Sequence, residues 1–344
     1  MGGKRKKKTA KPSTLRRIVR YAVLILVAGF VVLSSVAVWF VHHPRRWLAD
    51  KRESWPSAVT GPLFWLGNPI GDITDGLGLT GNDAVYEYDE EAPVGEVLFA
   101  GAPKRIGSPA PKDIVVIDRG VFKIGWSPSL KHPVWCAYHV PAEAKFEDGV
   151  RPNFTKDADA DSCPAPAAYD RSGYDRGHMV PNHAIETRFG TAAQKLTFRM
   201  SNIAPQSPAL NRGVWRDVEH RIANLWTARY GEIWVIVGCI PGTSGETLSG
   251  TAIDVPDAFY QLIVAQEGFD VRAQAVILDQ NVSWREWAAR NLVSIDELEE
   301  LTGFDFLPDL PAFIQDPLEA ELPTRLWPVR FRDLPKQILL RYSR

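Results

Sequence analysis

Near the middle of the chain, Tyr174-Asp175-Arg176-Gly177-His178-Met179-Val180-Pro181-Asn182 sets a permanent cation and a titratable base two residues apart. In an extended backbone side chains alternate faces, so Arg176 and His178 point one way and Asp175 the other. Gly177 carries no Cβ, which would let a phosphate approach the backbone closely. A cation beside a neutral imidazole suits phosphodiester hydrolysis. The base takes a proton from water, and the guanidinium offsets the charge that builds on phosphate. The same stretch also reads as a strand with a buried, satisfied histidine, and these residues alone do not separate the two.

Further polar residues surround it in sequence. Upstream, RPNFTKD supplies a second cation, Arg151. Downstream, SNIAPQSPALNRGVWRDVE (Ser201–Glu219) brings Asn202, Gln206, Asn211 and Glu219. A hard ion held by Asn211 would steady the leaving 3′ oxygen. Mg²⁺ suits a single amide anchor because it keeps most of its waters, and Mn²⁺ or another divalent ion could replace it. Glu219 follows Asn211 by two helical turns, about 12 Å along the axis. Both cannot easily touch one ion, so Glu219 is expected to hold a water on that ion. The ion and the arginines would bias His178 toward its neutral form. Asn211 also reads as a helix N-cap. His183 has neither the spacing nor the neighbouring cysteines of a zinc pair and is expected in a loop.

The elements that must position these residues come next. Short β-like runs separated by turn residues occupy Glu96–Ala100, Ile114–Ile117, Val121–Trp126 and Val134–Val140. An Asp-rich stretch with Asp157, Asp159 and Asp161 reads as an exposed loop, and Ser201–Leu210 as a polar loop with two prolines. From Asn211 to Tyr230 an apolar stripe of Trp215, Val218, Ile222, Leu225 and Trp226 predicts a helix that ends at Gly231. Strands are expected at Ile233–Ile240, Ala258–Ala265 and Ala273–Leu278, and Ser294 with Glu297 forms a capping box for a helix over Ile295–Leu301. There is no βαβ alternation and no glycine-rich phosphate loop. The expected class is α+β, a mainly antiparallel sheet flanked by helices.

The 344 residues carry a net charge of −1, with +9 in residues 1–20 and therefore −10 in the rest. The acidic bulk counts against a tight nucleic-acid binder but not against a hydrolase that must release its product. Three cysteines are too few for a disulfide framework. Cys136 and Cys239 could be bridged neighbours in a sheet or simply buried. After the basic segment 1–20, Tyr21–Val41 runs 21 residues without a charge, enough to span a hydrocarbon core of ~30 Å. With nine Lys/Arg before it and four after, the N-terminus is expected in the cytoplasm and the remainder outside, periplasmic or extracellular. A cleaved signal peptide ending near Ser35-Val36-Ala37 is the alternative. The expected division is a basic segment 1–20, a membrane anchor 21–41, a juxtamembrane spacer 42–95, a catalytic domain 96–312 and a tail 313–344, which packs along the domain or lies on the membrane.

Asp175–His178 (DRGH), taken with Ser201–Glu219 at this spacing, resembles the DNA/RNA non-specific endonucleases, sugar-non-specific nucleases with a His-Me (ββα-metal) finger. PVWCAYHV, VIVGCIPG, VPDAFYQLIV and VILDQN resemble its strands, VSIDELEELTG its closing helix, and the likeness runs from about 114 to 310. The resemblance implies His178 as general base, Asn211 as sole protein ligand of Mg²⁺ and Glu219 as the residue orienting a water on it. It implies phosphate contacts for Arg176 and Arg151, and a supporting place near the metal for Asn202, with Asp175 and Gln206 also supporting. Some members carry an arginine one turn past the glutamate; here that position is Ala223, and Arg221 faces elsewhere. The expected function is hydrolysis of DNA and RNA without strong sequence preference. A tethered module that binds nucleic acid or a partner without cutting, and a phosphodiesterase on a small nucleotide or lipid headgroup, are the alternatives.

Overall fold

A computed structural model describes residues 95–329 except 147, 148 and 269, together with residues 29, 86 and 87. The basic segment, almost all of the expected anchor and spacer, and residues 330–344 lie outside the described residues. Among the described residues no helix is long and apolar enough to cross a membrane.

In chain order the strands are β1 (Tyr86–Glu87), β2 (Lys104–Arg105), β3 (Val115–Asp118), β4 (Phe122–Ser127), β5 (His132–Val140), β6 (Asp175–His178), β7 (Ile203–Gln206), β8 (Ile233–Ile240), β9 (Ala258–Glu267), β10 (Asp270–Asp279), β11 (Leu292–Val293) and β12 (Phe304–Asp305). One antiparallel sheet runs β1-β10-β9-β8-β5-β4-β3, with β11 on β10. β6 pairs with β7, and β2 with β12. Helix α1 is Asn182–Thr197, α2 Arg216–His220, α3 Thr227–Tyr230, α4 Ile295–Thr302 and α5 Ala312–Ala320.

The central strands are apolar at nearly every position because both faces of the sheet are covered. Phe259, Ile263 and Ala265 of β9 join Val235, Val237 and Cys239 of β8 in one core, under α1 and the helices of the site. Tyr260, Leu262 and Val264, with Trp234 and Ile236, enter a second core beneath α4 and α5. Each such side chain contributes about 1.5–3 kcal/mol on burial, so both layers are needed.

Several expectations change in the fold. Glu96–Ala100 does not form a strand: the chain turns there, with Ala100 at φ 51° and Gly101 at φ 93°. The stretch Ser201–Leu210 is not a polar loop, since Ile203–Gln206 is the fully buried β7. Of the Asp-rich stretch only Asp157 is drawn inward, buried against Arg119 and Ser201; Asp159 meets the same arginine at 2.5 Å but stays exposed, as does Asp161. Cys136 and Cys239 are free and buried. The capping box forms, with Ser294 Oγ accepting from the Glu297 N–H at 3.1 Å. The described part of the tail packs on the domain. Trp327 is buried in the first core and its carbonyl accepts from the Trp226 indole at 3.0 Å.

Candidate active site

β6 and β7 pair antiparallel with Asp175 opposite Gln206 and His178 opposite Ile203. Gly177 leaves room here for a group other than the expected one. A Cβ at 177 would lie 2.1 Å from Gln206 Oε1, so the glycine makes room for the buried Gln206 rather than for a phosphate. Just beyond His178 the chain is clamped by Asn202. Its Oδ1 accepts from the Val180 N–H at 2.9 Å, and its Nδ2 donates to the carbonyls of Val180 (3.0 Å) and Thr197 (2.9 Å). Asn202 is wholly buried and spends its amide on backbone, so it positions the β6 end and does not line the cleft.

His178 is buried between aromatic rings, with the Phe198 ring centroid 4.8 Å away edge-on and Phe154 at 5.3 Å. Burial, and then the charge of Arg151, push its pKa down to about 3. The imidazole is neutral at any ordinary pH, and its Nε2 has no hydrogen-bond partner among the described residues. Arg176, on the same strand, is steered by the Pro166 carbonyl at 2.8 Å and Asp170 at 2.5 Å, with its guanidinium 5.5 Å from the Phe154 ring. Arg151 comes from a loop tied down by α1: Glu186 Oε1 accepts from the Gly149 N–H at 2.7 Å, and the Thr187 carbonyl from Lys145 and Phe146. Its guanidinium lies 5.3 Å from the Phe198 ring.

The partner residues stand on the helical run that follows β7. Ser207 Oγ accepts from the Leu210 N–H at 3.3 Å, so Ser207, not Asn211, caps this run. Leu210–Trp215 is a π-helical turn, broken at Gly213, before α2. A π turn absorbs one extra residue. Asn211 and Glu219, eight apart, are thereby related roughly as residues seven apart in a regular helix, about two full turns. Both line the same cleft. Wide turns recur at Arg221–Trp226, and the stripe predicted from the sequence is buried throughout.

Asp175 points away from His178 and braces this helix. Its Oδ2 accepts from Asn211 Nδ2 at 2.9 Å and Arg212 Nε at 2.8 Å, and its Oδ1 from Arg212 at 2.5 Å. Burial disfavours its charge, but the hydrogen bonds from Arg212 and Asn211 outweigh that and hold the carboxyl below its usual range. A carboxylate only accepts, so the Asn211 amide must turn its NH₂ to Asp175 and present Oδ1 elsewhere. Glu219 is half-buried in the cleft wall. Burial raises its pKa to about 8, against the opposing pull of the Trp215 indole, Arg216 and Arg151. The indole N–H lies near enough to favour the carboxylate without closing a hydrogen bond of normal geometry.

The cleft has a volume of about 440 Å³ and gathers Arg151, Arg176, His178, Asn211 and Glu219. Arg212, Arg216 and His220 also line it and escaped the sequence reading; His183, expected only as a loop histidine, lines it too. His183 is not in a loop: it lies in the first turn of α1, its Nε2 3.4 Å from Asn224 Oδ1. A signal for α1 was present in the spacing of Ile185, Phe189, Ala193 and Leu196, entered from Pro181. Arg221 is buried and paired with Asp217 at 3.2 Å, away from the cleft, while Ala223 lines it.

The sequence model for one family, described as DNA/RNA non-specific endonuclease, matches residues 101–313. The chain belongs to that family. A nuclease of Nostoc sp. is 30% identical over 227 residues, covering 61% of this endonuclease and 79% of the relative. The nuclease of Serratia marcescens is 26% identical over 217 residues, covering 60% and 80%. The human mitochondrial nuclease EXOG is 26% identical over 207 residues, and the chain spans only 55% of its length. A chain in the crystal structure of the EndoG/EndoGI complex shares the fold, with TM-score 0.53 at 21% identity over 61% of this chain and 91% of that one.

The donors of this endonuclease suit a hard divalent cation. One amide oxygen is oriented by a committed NH₂, and a carboxyl stands on the same helix face. Both offer oxygen, the donor a hard ion prefers, and no thiol lines the cleft.

Proposed function

We propose that this member of the non-specific endonuclease family hydrolyses phosphodiester bonds of DNA and RNA, dependent on a divalent cation, Mg²⁺ or Mn²⁺. The observation that carries the reading is the meeting, in one cleft, of a neutral His178 and an Asn211 whose amide oxygen is aimed by Asp175. His178 takes the proton from the attacking water. Asn211 Oδ1 would hold the cation, and Glu219 would orient its hydration shell. When bound, the cation would supply positive charge that eases departure of the leaving oxygen. Arg151 and Arg176 bind the phosphate on the His178 side and offset its growing charge.

We also propose that Tyr21–Val41 anchors the chain and holds this cleft outside the cytoplasm. That placement keeps an indiscriminate hydrolase away from the cell's own nucleic acid. The decisive assay uses the full chain on plasmid DNA and RNA, with Mg²⁺ and with EDTA, beside His178→Ala. Cutting that needs the cation and disappears in the variant supports the reading. Equal cutting by the variant removes His178 from the role of base.

A further inference from the structure

Four arginines line the cleft, and three have a task or a partner. Arg176 is bound to Pro166 and Asp170, Arg212 to Asp175, and Arg151 rests on Phe198 beside the buried base. Arg216 is different. It is exposed, and among the described residues it makes no hydrogen bond or ion pair. It stands three residues before Glu219 on α2, a spacing that normally favours an ion pair; its charge is felt at Glu219, yet no hydrogen bond or ion pair joins the two among the described residues. On the other side of Glu219 the wall has no cation to offer. Ala223 lines the cleft there, and Arg221 turns inward to Asp217. Arg212, on the same helical run, has its charge met by Asp175, whereas that of Arg216 faces the open cleft. An unpaired guanidinium kept at such a place is ready for an anion from outside, and its planar fork matches a phosphate.

We propose that Arg216 is a substrate-positioning residue that binds a phosphate of the nucleic-acid strand on the Glu219 wall, next to the scissile one. This rests on the endonuclease reading above. It divides the cleft: Arg151 and Arg176 serve the phosphate being cut, and Arg216 sets the path of the strand past the Asn211–Glu219 helix.

The test compares the full chain with Arg216→Ala and Arg216→Lys. Binding of a fluorescent single-stranded DNA of about 12 nucleotides is followed in EDTA across a salt series, so that no turnover is needed. One lost phosphate contact lowers the slope of log affinity against log salt by about 0.7. Arg216→Ala is expected to show that change with roughly five- to tenfold weaker binding, and Arg216→Lys to keep the slope while losing part of the affinity. With Mg²⁺, KM for Arg216→Ala rises by a similar factor and kcat stays within about twofold. Unchanged affinity and slope in Arg216→Ala overturn the proposal. So does a fall in kcat at constant KM, which would make Arg216 a partner of Glu219 instead. If the native chain binds with the expected salt dependence but cuts nothing, the endonuclease reading fails while the phosphate contact stands. If it cuts and Arg216→Ala is indistinguishable from it, only the present proposal fails.

Discussion

The cleft around His178 and the junction of α4 with α5 both take ionisable groups out of water, with opposite outcomes. At the junction, Asp296, Glu299 and Glu319 bring carboxylate oxygens within 4.8 Å of one another, with Asp305 close by. Gln315 Nε2 donates to Glu319 at 3.0 Å and to Asp305 at 3.1 Å, and the Phe306 N–H to Glu299 at 2.7 Å. Burial, with the neighbouring acids adding to it, raises Glu299 to about 7 and Glu319 to about 8. Excess negative charge there is met by protons. In the cleft, four arginines share an open space with one acid, Glu219, and with three histidines, of which the buried His178 is held neutral. Excess positive charge there is left for an anion to meet. A shifted pKa alone does not mark a site; an unmet charge of the opposite sign to the ligand, at an open surface, does.

His178 tests this contrast most strongly. Replacing it with alanine should lower kcat by about 10²–10⁴, the usual span for a general base, while Glu319→Gln leaves kcat unchanged. Equal losses in the two variants would mean that both regions act only through stability. His178 also predicts acid sensitivity. Its pKa is about 3 when folded and ~6.5 when unfolded. The unfolded chain therefore binds the proton first, and stability falls as pH drops from ~6.5 to ~3, by roughly 5 kcal/mol in all. Denaturant midpoints measured down that range should fall much less in His178→Phe, whose ring suits the Phe154–Phe198 cage.

Asn211 gives the next effect. Asn211→Ala should lose the cation requirement together with activity. Asp175→Asn, which lets the Asn211 amide turn over, should weaken cation affinity by roughly 10–100-fold, as losing a residue that orients a ligand does. Calorimetric titration with Mn²⁺ checks both. Unaltered affinity in Asp175→Asn would mean that Asp175 does not set the amide.

Much of this cleft was legible in the sequence, and the reasons for the gaps are local. Residue types and spacing singled out His178, Asn211 and Glu219, and the fold brings all three to one cleft. The long strands β8, β9 and β10 showed as apolar runs because both sheet faces are covered. The π turn at Leu210–Trp215 has no simple sequence signal, so the expected 12 Å offset between Asn211 and Glu219 treated the run as regular helix. β7 was hidden because Pro205 and Gln206 look like loop residues, and its burial comes from partners far along the chain, among them Gln280, whose Nε2 donates to the Pro205 carbonyl at 2.8 Å. The role of Gly177 depended on Gln206, 29 residues on, which no local pattern reveals.

The smallest expected effect lies at the other region and has the reverse sign with pH. Glu319 is almost fully buried in the α4–α5 junction and holds a proton up to about pH 8. In the unfolded chain a glutamate gives up its proton near pH ~4.3. Between these values the folded form binds more protons, so stability is highest below the unfolded pKa and declines as pH rises toward 8. Water still reaches part of the cluster, which reduces the swing to roughly 1–2 kcal/mol. Glu319→Gln keeps the shape and the partner Gln315 but cannot ionise. It should match the native protein near pH 5 and be the more stable of the two at pH 8–9, with nuclease activity unchanged at both. A variant that gains nothing in alkali would show that Glu299 and Asp296 carry the repulsion, and that proton uptake at Glu319 is not what balances the junction.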